Sequence, residues 1–120
     1  MKESFIIRAK ENLKAAELLY ENCLYNASAN RAYYAAFHAA IAGIYSIGIT
    51  PDIDHKTVQS LFSDYFFNRR KIYPSKFKKY LKDLQINRND ADYKNGISKR
   101  IAKQQLSYSK ELVELILGDI

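Results

Sequence analysis

The stretch Asn30-Arg31-Ala32-Tyr33-Tyr34-Ala35-Ala36-Phe37-His38-Ala39-Ala40 constrains the fold more than any other part of the chain. At 3.6 residues per turn, positions i and i+7 share a helix face. Arg31, Tyr34, His38, Ile41 and Tyr45 therefore line one stripe, and Tyr33, Phe37, Ala40 and Ile44 line the adjacent one. A helix this rich in aromatic and small residues must be largely buried, and the polar groups buried with it need partners. A helix of this kind belongs at the centre of a helical bundle.

The rest of the chain supplies the surrounding helices. A first helix is expected from about Ser4 to about Asn22, with Ile6, Ala9, Leu13, Ala16 and Tyr20 at helical spacing. The central helix should run from Asn26, read as its N-cap, to about Ser46, with Gly48 and Thr50-Pro51 breaking the pattern. Asp54 is placed to cap a third helix carrying Val58, Leu61, Phe62, Tyr65 and Phe66. Pro74 opens a fourth, striped by Phe77, Leu81 and Leu84, and one further step along that stripe reaches Arg88. A fifth is expected from about Gly96 to Leu117, with Ile101, Tyr108, Leu112 and Leu115 on its apolar face. The expectation is all-α: an up-and-down bundle of four to five helices forming one domain over residues 1–120.

Charge is unevenly spread. The chain carries a net +6, yet residues 69–110 hold thirteen Lys or Arg against Asp83, Asp90 and Asp92. That concentration suggests an acidic partner for the second half. Arg69, Arg70, Lys71, Lys76, Lys78, Lys79 and Lys82 form a run without an intervening acid, interleaved with Tyr73, Phe77 and Tyr80. Such a surface can follow a nucleic-acid backbone, and a plain solvated helix face would read the same way.

Cys23 stands alone, which excludes an internal disulfide and a thiolate metal cluster; it is read as a small buried hydrophobe late in the first helix. Two histidines are too few for a zinc site without carboxylate help. No cofactor or metal is implied. No apolar signal core or membrane-spanning run is visible, so a cytoplasmic protein is expected.

The pattern Asn-Arg-Ala-Tyr-Tyr-Ala-Ala-Phe-His on the second helix resembles the HEPN domain family. Asp54-His55-Lys56 is similar to a Thr-His-Lys element of its small stand-alone members, and Arg88-Asn89-Asp90-Ala91-Asp92-Tyr93 resembles their Arg-x-x-x-Asp-Tyr motif. The resemblance spans nearly the whole chain. It implies a four- or five-helix, usually dimeric domain. Many relatives are ribonucleases of toxin–antitoxin or other defence systems, and some small members pair with a nucleotidyltransferase that modifies a tyrosine beside the motif. Others have no known activity. The usual ribonuclease signature places a histidine four to six residues after the arginine. Here Tyr93 occupies that position, and no histidine follows Arg88 anywhere.

The candidate catalytic group is thus Arg88, Asp92, Tyr93 and His38. Arg88 is either a phosphate clamp, its planar donors suiting phosphate oxygens, or one half of an i,i+4 pair with Asp92. Tyr93 can donate to phosphate, stack on a base or accept a nucleotide, but an unperturbed phenol is a poor base. His38 has a useful intrinsic pKa in an apolar setting, where a bond to a neighbouring helix is the favoured role. Arg31 is a further nucleic-acid candidate, reaching either Glu17 or Glu21 or the surroundings of Arg88. His55 and Lys56 can attract an anion, and a capping turn with exposed side chains is the favoured reading of them. Two functions follow: the RNA-binding or RNA-cleaving half of a toxin–antitoxin-like pair with a nucleotidyltransferase, or a non-catalytic dimeric module that binds a nucleotide or a partner. The first requires the Arg88 guanidinium to face an open crevice between two copies of the chain.

Overall fold

The structure, a computed structural model, describes residues 1–69 and 73–120. It contains α1 (Lys2–Glu21), α2 (Tyr25–Ser46), α3 (His55–Ser63) continued by a π-helical turn (Asp64–Arg69), a short 3₁₀ turn (Ser75–Lys79) leading into α4 (Tyr80–Tyr93), and α5 (Lys99–Asp119). Among the described residues there is no strand, and no helix is long and apolar enough to cross a membrane. The all-α bundle expected from the sequence is what the chain forms.

α2 packs against α1, α3, α4 and α5, as its apolar pattern requires. Ala32, Tyr33, Ala35, Ala36, Ala39, Ala40, Ile41 and Ile44 are fully buried. The alanines let neighbouring helices approach closely. Gly43 extends this: a Cβ there would lie 3.2 Å from Ile116 Cγ2 and 3.5 Å from the Phe66 ring. Phe62, Phe66, Leu84, Leu112 and Ile116 close the core from α3, its continuation, α4 and α5.

α1 and α2 end in the same hydrogen-bonded motif. At the end of α1, Cys23 N donates to Tyr20 O (3.0 Å) and Leu24 N to Leu19 O (2.9 Å); at the end of α2, Gly48 N donates to Tyr45 O (3.0 Å) and Ile49 N to Ile44 O (3.3 Å). Both motifs need one residue in the left-handed region. Gly48 takes it at φ +86° without steric cost, whereas Cys23 takes it at φ +63° with a side chain. This corrects the reading of Cys23 as a buried helical residue. The helix stops at Glu21, and Cys23 is exposed in the turn.

Other local expectations also shift. α2 begins at Tyr25 with Leu24 at the cap, so Asn26 is not its N-cap. Its side chain instead accepts from Ile97 N at 3.0 Å and holds the α4–α5 loop. Asp54 does cap α3, accepting from Thr57 N at 2.8 Å. α5 starts three residues later than Gly96, with Ser98 as its cap accepting from Ile101 N.

Candidate functional site

The site lies where α1, α2, α3 and α4 meet, and it is built around the edge of α2 that carries Asn30, Arg31, Tyr34 and His38. Asn30 and Arg31 stand one turn before Tyr34, so their side chains emerge beside its ring. Asn30 Nδ2 donates to Asp92 Oδ2 on α4 (2.9 Å). Arg31 Nε donates to Asn30 Oδ1 (2.9 Å), its Nη2 reaches the same oxygen, and its Nη1 donates to Asn12 Oδ1 on α1 (3.0 Å). Asn12 Nδ2 in turn donates to His38 Nδ1 (3.2 Å) and to the Arg8 carbonyl (2.9 Å). One continuous polar chain thus links α4, α2 and α1 through Asp92, Asn30, Arg31, Asn12 and His38.

Arg88 joins this chain from α4. Its Nε lies 3.0 Å from Asp92 Oδ2, and its side chain is 14% exposed, that of Asp92 23%. The N–H is not aligned with the carboxylate, so among the described residues Nε is a buried donor without a hydrogen bond despite the ion-pair contact. Nη1 donates to Asn89 Oδ1 (3.2 Å). The guanidinium carbon lies 5.3 Å from the centroid of the Tyr34 ring and 5.7 Å from that of Tyr93. Arg31 Cζ lies 5.2 Å from the same Tyr34 ring, so two guanidiniums share one aromatic ring at cation–π distance. Within one subunit Arg88 is therefore largely covered by Asp92 and the aromatic rings; the crevice the sequence led us to expect is one between two copies of the chain, not within a single subunit.

Tyr93 is the opposite case. It ends α4 and is 75% exposed. His38 is half-buried, and burial first, then the charges of Arg8 and Arg31, lower its pKa to about 4. It is neutral at pH 7, and because Asn12 donates to Nδ1, its proton resides on Nε2. Arg31 meets Asn12 and Asn30 rather than Glu17 or Glu21. The antiparallel register explains this, since Ser28 Oγ of α2 reaches the Ala16 carbonyl of α1 (2.8 Å), which sets Asn12, one turn earlier on α1, opposite Arg31.

The basic run lies elsewhere. Arg69 is exposed and pairs with Asp64 at 2.9 Å, its Cζ 4.8 Å from the Tyr65 ring. Lys78 Nζ donates to Asn68 Oδ1 (2.9 Å) and lines a cavity of about 360 Å³ with Phe67, Asn68, Tyr73 and Ser75. Lys79 and Lys82 are exposed. Arg70 and Lys71 lie outside the described residues. Lys82 and Arg88 are six residues apart on α4, which turns them about 120° from one another around the axis. The structure thus brings Arg31, Arg88, Asp92 and His38 together and leaves the lysines on another surface.

Sequence reasoning missed several members of the site. Asn12 interrupts the apolar face of α1 between Ala9 and Ala16, and a polar residue in an apolar stripe was the available signal. His55 was read as an exposed capping residue. It is partly buried, its Nδ1 hydrogen-bonded to the Tyr33 hydroxyl, its ring 4.9 Å from Phe37 and 6.1 Å from Tyr34. Gln59 Nε2 donates to Gln85 Oε1 and ties α3 to α4. No group of three or more His, Cys, Asp or Glu among the described residues is placed to hold a metal ion.

Over 66 residues the chain is 42% identical to a Methanocaldococcus jannaschii protein named "Putative toxin MJ0605". The match covers 55% of this chain and 48% of that protein, so the aligned part spans about half the length of the curated relative. Residues 3–119 match the family model of the HEPN domain, and on that coverage the chain belongs to the HEPN domain family.

Proposed function

We propose that this chain is the HEPN half of a toxin–antitoxin-like pair: a homodimer that engages RNA or nucleotide phosphate at Arg88 and presents Tyr93 to a nucleotidyltransferase partner. The observation that carries this is the contrast within six residues of α4, between an anchored Arg88 and a Tyr93 ring standing 75% exposed beside it. A phenol this accessible can enter the active site of a second enzyme, and the guanidinium next to it suits the phosphates of an incoming nucleotide. The relative named as a toxin supports the reading at the level of the system.

A non-catalytic module is the second reading, and one observation favours it over RNA cleavage. His38 is held neutral with its Nδ1 bonded to Asn12, so it does not stand in for the histidine that the Arg88–Tyr93 motif lacks. The experiment is to co-express the chain with a nucleotidyltransferase encoded beside its gene and map any added AMP by mass spectrometry. Modification at Tyr93, lost in Tyr93→Phe, supports the paired system. A chain left unmodified, or modified at another tyrosine, removes it. In parallel, RNA cleavage in EDTA that disappears with Arg88→Ala establishes a metal-independent ribonuclease.

A further inference from the structure

The seam between α3 and α4 contains one titratable side chain that the reading above does not use. Gln59 on α3 is bonded to Gln85 on α4. His55 lies four residues before Gln59 and Arg88 three residues after Gln85, so each shares a helix face with its glutamine. The glutamine pair therefore places His55 and Arg88 beside each other across the seam. Both also approach the same ring: Arg88 Cζ lies 5.3 Å and the His55 ring 6.1 Å from the centroid of Tyr34.

The orientation of His55 is set from behind. Tyr33 is fully buried and its hydroxyl is bonded to His55 Nδ1. Burial pushes the Tyr33 phenol up to about 12, so it keeps its proton. The buried hydroxyl spends its proton on the partner it is bonded to, His55 Nδ1, and neutral His55 carries its own proton on Nε2. The ring is partly exposed while its Nδ1 edge faces a buried partner, so Nε2 is the outward donor.

We propose that His55 is a second phosphate-contacting side chain of the Arg88 site, donating from Nε2 to a phosphate oxygen and taking up a proton from solvent as the anion binds. This rests on the reading of Arg88 as a phosphate-binding group. The groups facing His55 are Tyr33, Tyr34 and Phe37 from α2, Arg88 from α4, and Asp54 and Lys56 in its own segment. Without ligand, burial and then the Arg88 charge hold its pKa below 6.5, with Asp54 opposing them. A phosphate seated between Arg88 and His55 offsets the guanidinium charge and gives the imidazolium an acceptor, so the bound state favours the proton. Affinity must then rise as pH falls, in a window below about 6.5.

The test is fluorescence anisotropy with a labelled single-stranded oligouridylate at low salt, from about pH 8 to about pH 5.5, with inorganic phosphate and AMP as competitors. The native chain should bind on the order of tenfold more tightly at the acid end, His55→Gln should flatten that dependence, and Tyr33→Phe should reduce it. Competition by phosphate and AMP identifies a site for a single phosphate group; binding of the oligonucleotide alone identifies the RNA backbone. If Arg88→Ala leaves binding unchanged, the Arg88 reading fails and this inference with it. If Arg88→Ala weakens binding while His55→Gln keeps the native affinity and pH slope, this inference alone fails. Binding of none of the three probes overturns both. An NMR titration of His55 in the native chain keeps the proposal falsifiable should a variant not fold: its pKa must rise when oligouridylate is added, and an unchanged pKa overturns the proposal.

Discussion

α2 buries polar groups on two sides and treats them differently. On one side they are closed in pairs against backbone: Ser28 Oγ donates to the Ala16 carbonyl at 2.8 Å, and Ser109 Oγ of α5 donates to the Ala32 carbonyl at 2.6 Å. Each bond is short and buried, and the surrounding residues are mostly alanine, leucine and isoleucine. Gln105, whose amide has no partner among the described residues, is the exception there. On the other side, which faces α4, α3 and the Asn12 turn of α1, the same helix carries Asn30, Arg31, Tyr33, Tyr34 and His38. Asn30, Arg31 and His38 join a chain of side-chain bonds running through α4, α2 and α1, with Arg8 and Arg88 around it and Asp92 bonded into it. A helix core gains nothing from clustering cations that repel one another and leaving Arg88 Nε without a hydrogen bond among the described residues. The packed side serves stability; the open side concentrates positive charge, the property that the proposed phosphate-binding role draws on.

The largest expected effect tests the packed side. Leu112 is fully buried in α5, so Leu112→Ala should cost about 3 kcal/mol in urea unfolding, through lost burial and the cavity left behind. Oligouridylate affinity, measured where the variant is still folded, should match the native chain. A change in affinity of tenfold or more would break the comparison, because it would mean that α5 packing sets the geometry of the site.

The packed side was also the part that could be read from the sequence. Its stripes repeat at 3.6 residues, and Ile41, Ile44, Leu84, Leu112 and Ile116 are buried as that period demands. The Arg88–Asp92 pair was legible for the same reason, since i,i+4 spacing is local. What could not be read depends on register between helices. Asn12 rather than Glu17 meets Arg31 because of how α1 slides along α2, and no local pattern encodes that offset. His55 finds Tyr33 across 22 residues only once α3 has docked. Cys23 was misplaced by a different cause: its neighbours suit a helix, and the left-handed turn that ends α1 there usually announces itself with glycine.

The second effect separates the two sides by pH. His38 has a pKa of about 4 in the folded chain against an ordinary 6.5. Between those values the unfolded chain holds a proton that the folded chain refuses. Stability therefore rises with pH across that window and is fully recovered above about 6.5. The full shift overstates the effect for a half-buried ring, and solvent screening leaves about 1–2 kcal/mol. Thermal unfolding of the native chain and of His38→Gln, compared between about pH 5 and pH 7, should show a slope in the first that is reduced in the second. Equal slopes would place the acid sensitivity elsewhere and remove His38 from the strained part of the open side.

The smallest effect bears most directly on what the open side is for. Asp92 accepts from Asn30 and lies against Arg88. Asp92→Asn keeps the shape of the side chain and an acceptor oxygen while removing the charge. Because the pair is partly exposed, stability should fall by about 1 kcal/mol or less. With Arg31 still held by Asn12 and Asn30, and Arg88 still against the Tyr34 ring, the field at the site becomes more positive. Oligouridylate should then bind about threefold more tightly at low salt, with the gain shrinking near 0.15 M as the charges are screened. If binding weakens instead, Asp92 is needed to aim Arg88, and the open side is fixed in place as tightly as the packed one.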